Sequence, residues 1–323
     1  MRGSVPLLAM LLGATGFPLL AQDDTRQRWP GSTSEPTAAA VPDPLDLGNA
    51  DDRMTVPVSI GSNGPYRFII DTGSERTVVS RELAGLLHLA VGRRVHVTTM
   101  SGQGELGTYL LPALRVSLVR PGTLEAPAVD ARNLGAPGML GIDALQGHSV
   151  SIDFDKKLME VRPARKRGAE LGTDDIVIRA KNLYGQLIVT DARYRGRRIS
   201  VVIDTGSPIT IGNLALLGRV KTDKSLGNIS LISVTGQFLT ADYRIVDSLN
   251  IAGIGFHHVP IAFADAPPFK RFGLSDTPAL MLGMDSLKLF RRVQIDFANR
   301  EIRFTMPRSA ALGAPDRLMD RAR

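Results

Sequence analysis

Arg67-Phe-Ile-Ile-Asp71-Thr-Gly-Ser74 recurs further along the chain as Ser200-Val-Val-Ile-Asp204-Thr-Gly-Ser207. Each copy is a short apolar run of β-formers that ends on Asp and passes into residues that favour a turn. A given tripeptide is expected by chance about 0.1 times or less in a chain of this size. Two copies of Asp-Thr-Gly in matched contexts therefore mark a duplication. Two further blocks follow in the same order: Gly138-Met-Leu-Gly-Ile-Asp143-Ala-Leu145 recurs as Leu280-Met-Leu-Gly-Met-Asp285-Ser-Leu287, and Ser151-Ile-Asp-Phe154 recurs as Gln294-Ile-Asp-Phe297. The offsets of 133, 142 and 143 residues are nearly constant, as one structural unit used twice requires. A weaker match, Ser101-Gly102-Gln103 against Thr235-Gly236-Gln237, lies between the first two blocks at an offset of 134.

Each half reads as mostly strand. Met54 to Ile60 and Val95 to Thr99 alternate apolar with polar, and Phe68 to Ile70 and Val201 to Ile203 are the apolar runs already noted. Helical pattern is confined to brief stretches such as Arg81 to Leu87 and Asp285 to Phe290. The chain is thus expected to be all-β, with two lobes related by a pseudo-twofold axis and any shared site between them. The boundaries read as an N-terminal lobe over 51–165 and a C-terminal lobe over 166–306, divided within the basic run Arg162-Pro-Ala-Arg-Lys-Arg-Gly168, which reads as a solvated connector.

At the N-terminus, one Arg precedes the apolar run Val5 to Leu20, which is interrupted by Gly13, Gly16 and Pro18. The pattern reads as a cleaved signal peptide over 1–21, with an uncleaved anchor as the alternative. An exported protein, periplasmic or secreted and with no stable membrane span after cleavage, is expected. Residues 22–50 are rich in Pro, Ser and Thr and read as a flexible linker or propeptide, and 307–323 as a flexible tail.

The 323 residues carry a net charge of +7 and 43% apolar residues, and contain no cysteine. That excludes disulfide scaffolds, thiol nucleophiles, zinc ribbons and iron–sulfur sites. It also means that two exported lobes must hold together by packing across their interface. Aromatic content of 5% and scattered arginines argue against a nucleic-acid partner. Gly102-Gln-Gly-Glu-Leu-Gly107 satisfies the glycine pattern of dinucleotide sites but lacks the helix and βαβ unit that such a site needs. The five histidines show no metal spacing and no Gly-x-Ser-x-Gly accompanies them, so no metal and no cofactor are expected.

The repeated Asp-Thr-Gly carries the chemistry. An Asp at the end of a buried strand presents its carboxylate at the edge of its lobe, where Asp71 and Asp204 can meet across the pseudo-twofold axis. Two carboxylates about 3 Å apart cannot both ionise, so they share a proton. One then accepts a proton from a water while the other donates to a carbonyl oxygen. A glycosidase pair, by contrast, stands about 5 Å or more apart and needs no matched loops. Thr72 and Thr205 can send hydroxyls across the axis, Gly73 and Gly206 allow a tight turn with N–H groups near the carboxylates, and Ser74 and Ser207 can hydrogen-bond the outer carboxylate oxygens.

On these motifs the chain resembles aspartic proteases of the pepsin and retropepsin superfamily, specifically bacterial exported retropepsin-like proteins with both lobes fused in one chain. The resemblance covers roughly residues 52–306. It implies an aspartic-type endopeptidase acting on an extended peptide or protein substrate, probed against the alternative of a noncatalytic peptide-binding or adaptor protein that keeps the fold. It also implies that Met139-Leu140-Gly141 and Met281-Leu282-Gly283 pass under the two catalytic loops and that β-hairpin flaps cover the cleft; Asp143 and Asp285 then sit where they can cap the short helices that follow, a structural and not a catalytic place. Ser101, Gly102 and Gln103 fit one flap tip, and Thr235, Gly236 and Gln237 a second, as in the retroviral arrangement with two flaps. The tyrosine of the pepsin flap has no match here. With both halves in one chain, a monomer suffices.

Overall fold

The computed structural model describes residues 45–50, 53–164, 175–183, 185–220 and 224–307. The expected signal peptide, residues 22–44 of the expected linker, the basic run from Arg165 onward and the tail beyond Pro307 lie outside the described residues. Among the described residues no helix is long and apolar enough to cross a membrane.

Strands dominate, and the longest described helix, Arg81–Leu86, has six residues. The two repeats build the same arrangement twice. In the first, Arg53–Ile60 and Asn63–Ile70 form a hairpin, and Gly138–Leu140 lies parallel beside the apolar end of the second strand. Val78–Ser80 flanks it, followed by Leu124–Val129 and the long hairpin Val91–Thr99/Gly102–Leu111. In the second, Gln186–Tyr194, Arg197–Ile203, Ala279–Leu282, Ile211–Gly212, Ile254–Phe263 and the hairpin Ser225–Ile232/Phe238–Ile251 follow in the same order. The apolar ends Phe68–Ile70 and Val201–Ile203 are buried on both faces, as continuous apolar runs in a parallel pair should be. The all-β, two-lobed expectation is met.

One strand pair joins the two repeats. His148–Asp153 of the first half runs antiparallel to Arg292–Asp296 of the second, with Ser151 opposite Gln294. These are equivalent positions of the repeated Ile-Asp-Phe block, so the segment pairs with its own copy and the pseudo-twofold axis passes through the pair. Leu158–Pro163 and Glu301–Thr305 extend this sheet on its two sides. Val150, Ile152, Val293, Ile295, Ile302 and Phe304 bury their side chains in one core with both lobes. Phe290 packs between Phe304 (ring centroids 4.5 Å apart) and Phe256 (5.7 Å, edge to face). Continuous backbone pairing thus holds the lobes together where no disulfide is available.

Residues 45–50, the last of the stretch read as linker, form short strands. Leu45–Asp46 pairs with Leu158 and Met159, and Gly48–Ala50 pairs with the start of Arg53–Ile60. Leu45 is buried and Leu47 packs on the same core, so these two apolar residues anchor a segment whose composition otherwise resists order.

Candidate active site

Asp71 and Asp204 each follow the last residue of a buried strand. Their backbone N–H groups donate to the carbonyls of Leu140 (2.9 Å) and Leu282 (3.1 Å) in the parallel strand beside them, which continues the ladder one residue past the strand and aims both side chains at the lobe edge. The chain then turns back on itself. Gly73 N–H donates to Asp71 Oδ1 (2.7 Å), and Gly206 and Ser207 N–H donate to Asp204 Oδ1 (3.0 and 3.2 Å). The glycines are required for a reason beyond the turn. A Cβ on Gly206 would lie 2.2 Å from Asp71 Cγ, and one on Gly73 would lie 2.8 Å from Asp204 Cγ. Each loop therefore stands directly against the opposite carboxylate.

The threonines interlock the loops. Thr72 Oγ1 donates to Ile203 O (2.9 Å) and accepts from Thr205 N–H (3.2 Å); Thr205 Oγ1 donates to Ile70 O (2.8 Å) and accepts from Thr72 N–H (3.1 Å). Both are buried and each hydroxyl is satisfied as donor and acceptor. A buried polar pair with every group matched rigidifies its surroundings.

Two expected roles are corrected. The serine hydroxyls do not reach the carboxylates: Ser74 Oγ donates to Arg76 O (2.8 Å) and Ser207 Oγ to Ile209 O (2.7 Å). A serine in a tight turn finds a carbonyl two residues on more readily than a group across the turn, so these side chains brace their own loops while backbone N–H groups hold the acids. Asp143 and Asp285 do not hold the N-cap positions of Ile142–Leu145 and Met284–Leu287, which are Gly141 and Gly283; they stand in the first turn, where their carboxylates accept from Ala144 N–H (2.8 Å) and Ser286 N–H (2.6 Å). Asp143 Oδ1 also accepts from Thr77 N–H (2.8 Å) and Thr77 Oγ1 (2.7 Å), and Asp285 accepts from Thr210 N–H (2.9 Å) and Oγ1 (2.7 Å). The threonine hydroxyls in turn accept from Gly141 and Gly283 N–H. The supporting segment crosses so close that a Cβ on Gly141 would lie 2.3 Å from the Arg76 carbonyl carbon and one on Gly283 2.3 Å from Ile209 O.

The electrostatics of the pair follow from this enclosure. Burial pushes Asp71 up to about 8, the nearby Asp204 charge pushes the same way, and the Gly73 and Ser74 N–H groups and Arg53 pull weakly back. Asp204 is also raised, again mainly by burial, and is eased by N–H groups of Gly206 and Ser207 and by a hydrogen bond from Asp71. The pair therefore keeps a proton above the ordinary carboxylate range.

A cleft of about 540 Å³ opens above the pair. Both expected hairpins overhang it. The first turns at Met100 and Ser101, so that Gly102 and Gln103 already belong to the returning strand; Thr235, Gly236 and Gln237 lie in the turn before Phe238–Ile251. Each tip reaches the opposite lobe, Met100 onto the apolar cluster of the second half and Val234 onto that of the first. Ser101 Oγ donates to Gln237 Oε1 (3.3 Å), which links the tips.

Two cleft residues escaped the reading of the sequence. Gln186 Nε2 donates to Gly73 O, and Arg53 lines the same floor with Nη2 on Leu134 O (2.7 Å). Both stand 18 residues before their Asp, 133 apart, which is the one signal that the repeat offers for them.

Two matched loops that each place a carboxylate against the other, under paired hairpins and between two β lobes, define the acid-protease class of fold and site. The aspartyl protease family model matches residues 56–144 and 190–286, and the chain belongs to that family. No curated protein matches it at a significant level.

Proposed function

We propose that this protein is an aspartic-type endopeptidase in which Asp71 and Asp204 activate a water for attack on a peptide carbonyl. The observation that carries this reading is the mutual approach of the two carboxylates through Gly73 and Gly206, with opposed protonation supported by burial and by the hydrogen bond from Asp71 to Asp204. In the proposed step, ionised Asp204 accepts a proton from water, the resulting hydroxide equivalent attacks the carbonyl carbon, and protonated Asp71 donates to the carbonyl oxygen. The collapse of the tetrahedral species returns a proton to the leaving amine. The loop residues Thr72, Gly73, Ser74, Thr205, Gly206 and Ser207 hold the geometry in this reading. The tips at Ser101, Gly102, Gln103, Thr235, Gly236 and Gln237 cover an extended peptide that pairs with the hairpins as an added strand.

Both acids come from one chain, which supports a monomer with a complete site, cut into N- and C-terminal lobes at the 165/166 connector. The apolar run Val5 to Leu20 supports export, with a protein or peptide and not a nucleic acid as partner. The test is fluorogenic peptide cleavage by the purified protein beside Asp71→Asn and Asp204→Asn, each expected to lose activity by about a thousandfold or more. Unchanged cleavage in either variant ends the reading, and peptide binding with no turnover in the wild type identifies a noncatalytic adaptor instead.

A further inference from the structure

The duplication lets each cleft residue be compared with its mate, and the comparison is lopsided. At the offset of 133, Arg53 corresponds to Gln186, Glu75 to Pro208 and Arg76 to Ile209. All six residues line the cleft. The first half also contributes Arg132 at the rim. The second half contributes Ile209, Ile211, Leu231, Ile232, Leu239 and Phe272. The lining is thus largely apolar in both halves, the first adding Val78, Leu106, Val129 and Met139, while the cations divide unevenly, with Arg53, Arg76 and Arg132 in the first half against Arg271 in the second.

The carboxylates nearest Arg76 and Arg132 are already engaged. Apart from Asp71 and Asp204, Glu75 is the single acidic group among the described lining residues, and it is held by Arg271 of the second half in a two-pronged pair (Nε to Oε1 2.7 Å, Nη2 to Oε2 2.6 Å). Arg76 makes no side-chain hydrogen bond or ion pair among the described residues, although it is half-buried; its charge is felt at Asp143, whose carboxylate is already bound by Thr77. Arg132 approaches Asp130 only at 3.9 Å, and Asp130 is taken by Arg81. A guanidinium that is partly desolvated and without a carboxylate is poised for one brought by a ligand, since its planar fork matches that group.

We propose that this cleft selects peptides that present an acidic side chain to Arg76 and a bulky apolar side chain to the apolar lining around it. The proposal rests on the endopeptidase reading for its cleavage arm and on the cleft alone for its binding arm. An extended chain alternates its side chains between two faces, so acidic and apolar positions can be met within one short segment.

The experiment uses peptide pairs identical except for Glu against Gln, scanned through each position of an apolar frame. Cleavage is measured with the wild type, and binding by fluorescence anisotropy with Asp204→Asn. The expected result is at least one position at which Glu exceeds Gln by about tenfold in kcat/KM and in affinity, the scale of one charge-assisted contact, with the ratio falling as salt is raised. Arg76→Gln is expected to bring that ratio toward one, and Arg76→Glu to shift preference toward Lys at the same position. The ratio is internal to each variant, so lost folding does not mimic the effect. Glu and Gln peptides handled alike at every position, or a ratio unmoved by Arg76→Gln and Arg76→Glu, overturn the proposal while leaving the endopeptidase intact. A Glu preference in binding with no cleavage by the wild type does the reverse.

Discussion

Thr72 and Thr205 exchange hydrogen bonds across the pseudo-twofold axis, each hydroxyl accepting from the other's N–H at 3.1 to 3.2 Å and donating to the strand before the other's Asp. Replacing either with Val removes the hydroxyl and leaves a buried carbonyl and N–H without partners. A loss of about 1–3 kcal/mol is expected in urea unfolding, and Thr→Ser at the same positions should recover most of it. Peptide cleavage should fall together with stability, because the same bonds fix the spacing of the two acids.

Gly206→Ala places a methyl at the position of the Asp71 carboxylate, 2.2 Å from Cγ. The loop must shift, and we expect cleavage to fall by about a hundredfold or more, the scale of a misplacement of about 1 Å. Gly85→Ala serves as the control. A Cβ there meets nothing within 4 Å, and in the helix Arg81–Leu86 the change should add about 0.5–1 kcal/mol. Equal activity in both variants would contradict the close approach of Gly206 to Asp71.

The pH dependence follows from the raised acids. With Asp71 lifted from 3.8 to about 8, the native protein keeps a proton that the unfolded chain releases, so this stabilisation is complete below the ordinary carboxylate range and is lost as pH rises through about 8. The melting temperature is expected to decline over that window. Asp71→Asn should flatten the decline, and by pH 9 should melt roughly 2–4 °C or more above the wild type. Cleavage, which needs the shared proton, should also fall as pH rises through the same region. A melting curve of Asp71→Asn parallel to wild type from pH 4 to 9 would refute the assignment.

Ser74→Ala and Ser207→Ala separate two accounts of the loop serines. Because the hydroxyls bind the carbonyls of Arg76 and Ile209, their removal should cost about 0.5–1.5 kcal/mol of stability and leave the pH profile of cleavage in place. A displaced profile would indicate direct contact with the carboxylates.

Much of this architecture is written in the chain. The two Asp-Thr-Gly-Ser blocks, the Met-Leu-Gly segments and the Ile-Asp-Phe strands specify a duplicated β fold, because apolar runs, turn residues and glycines act locally and each can be read from neighbours a few positions away. The paired roles of Thr72 and Thr205 follow from symmetry, which the repeat itself supplies. The tertiary structure alone decided which groups meet across larger separations. It sent the Ser74 and Ser207 hydroxyls back to their own loops, set Asp143 and Asp285 on Thr77 and Thr210, and paired Ser151 with Gln294. It also brought Arg53 and Gln186 to the floor of the cleft and tied Glu75 to Arg271, 196 residues away. Hydrogen-bond partners and ion pairs are chosen by distance and direction in space, and a sequence states the donors and acceptors without stating which of them stand within 3 Å of one another.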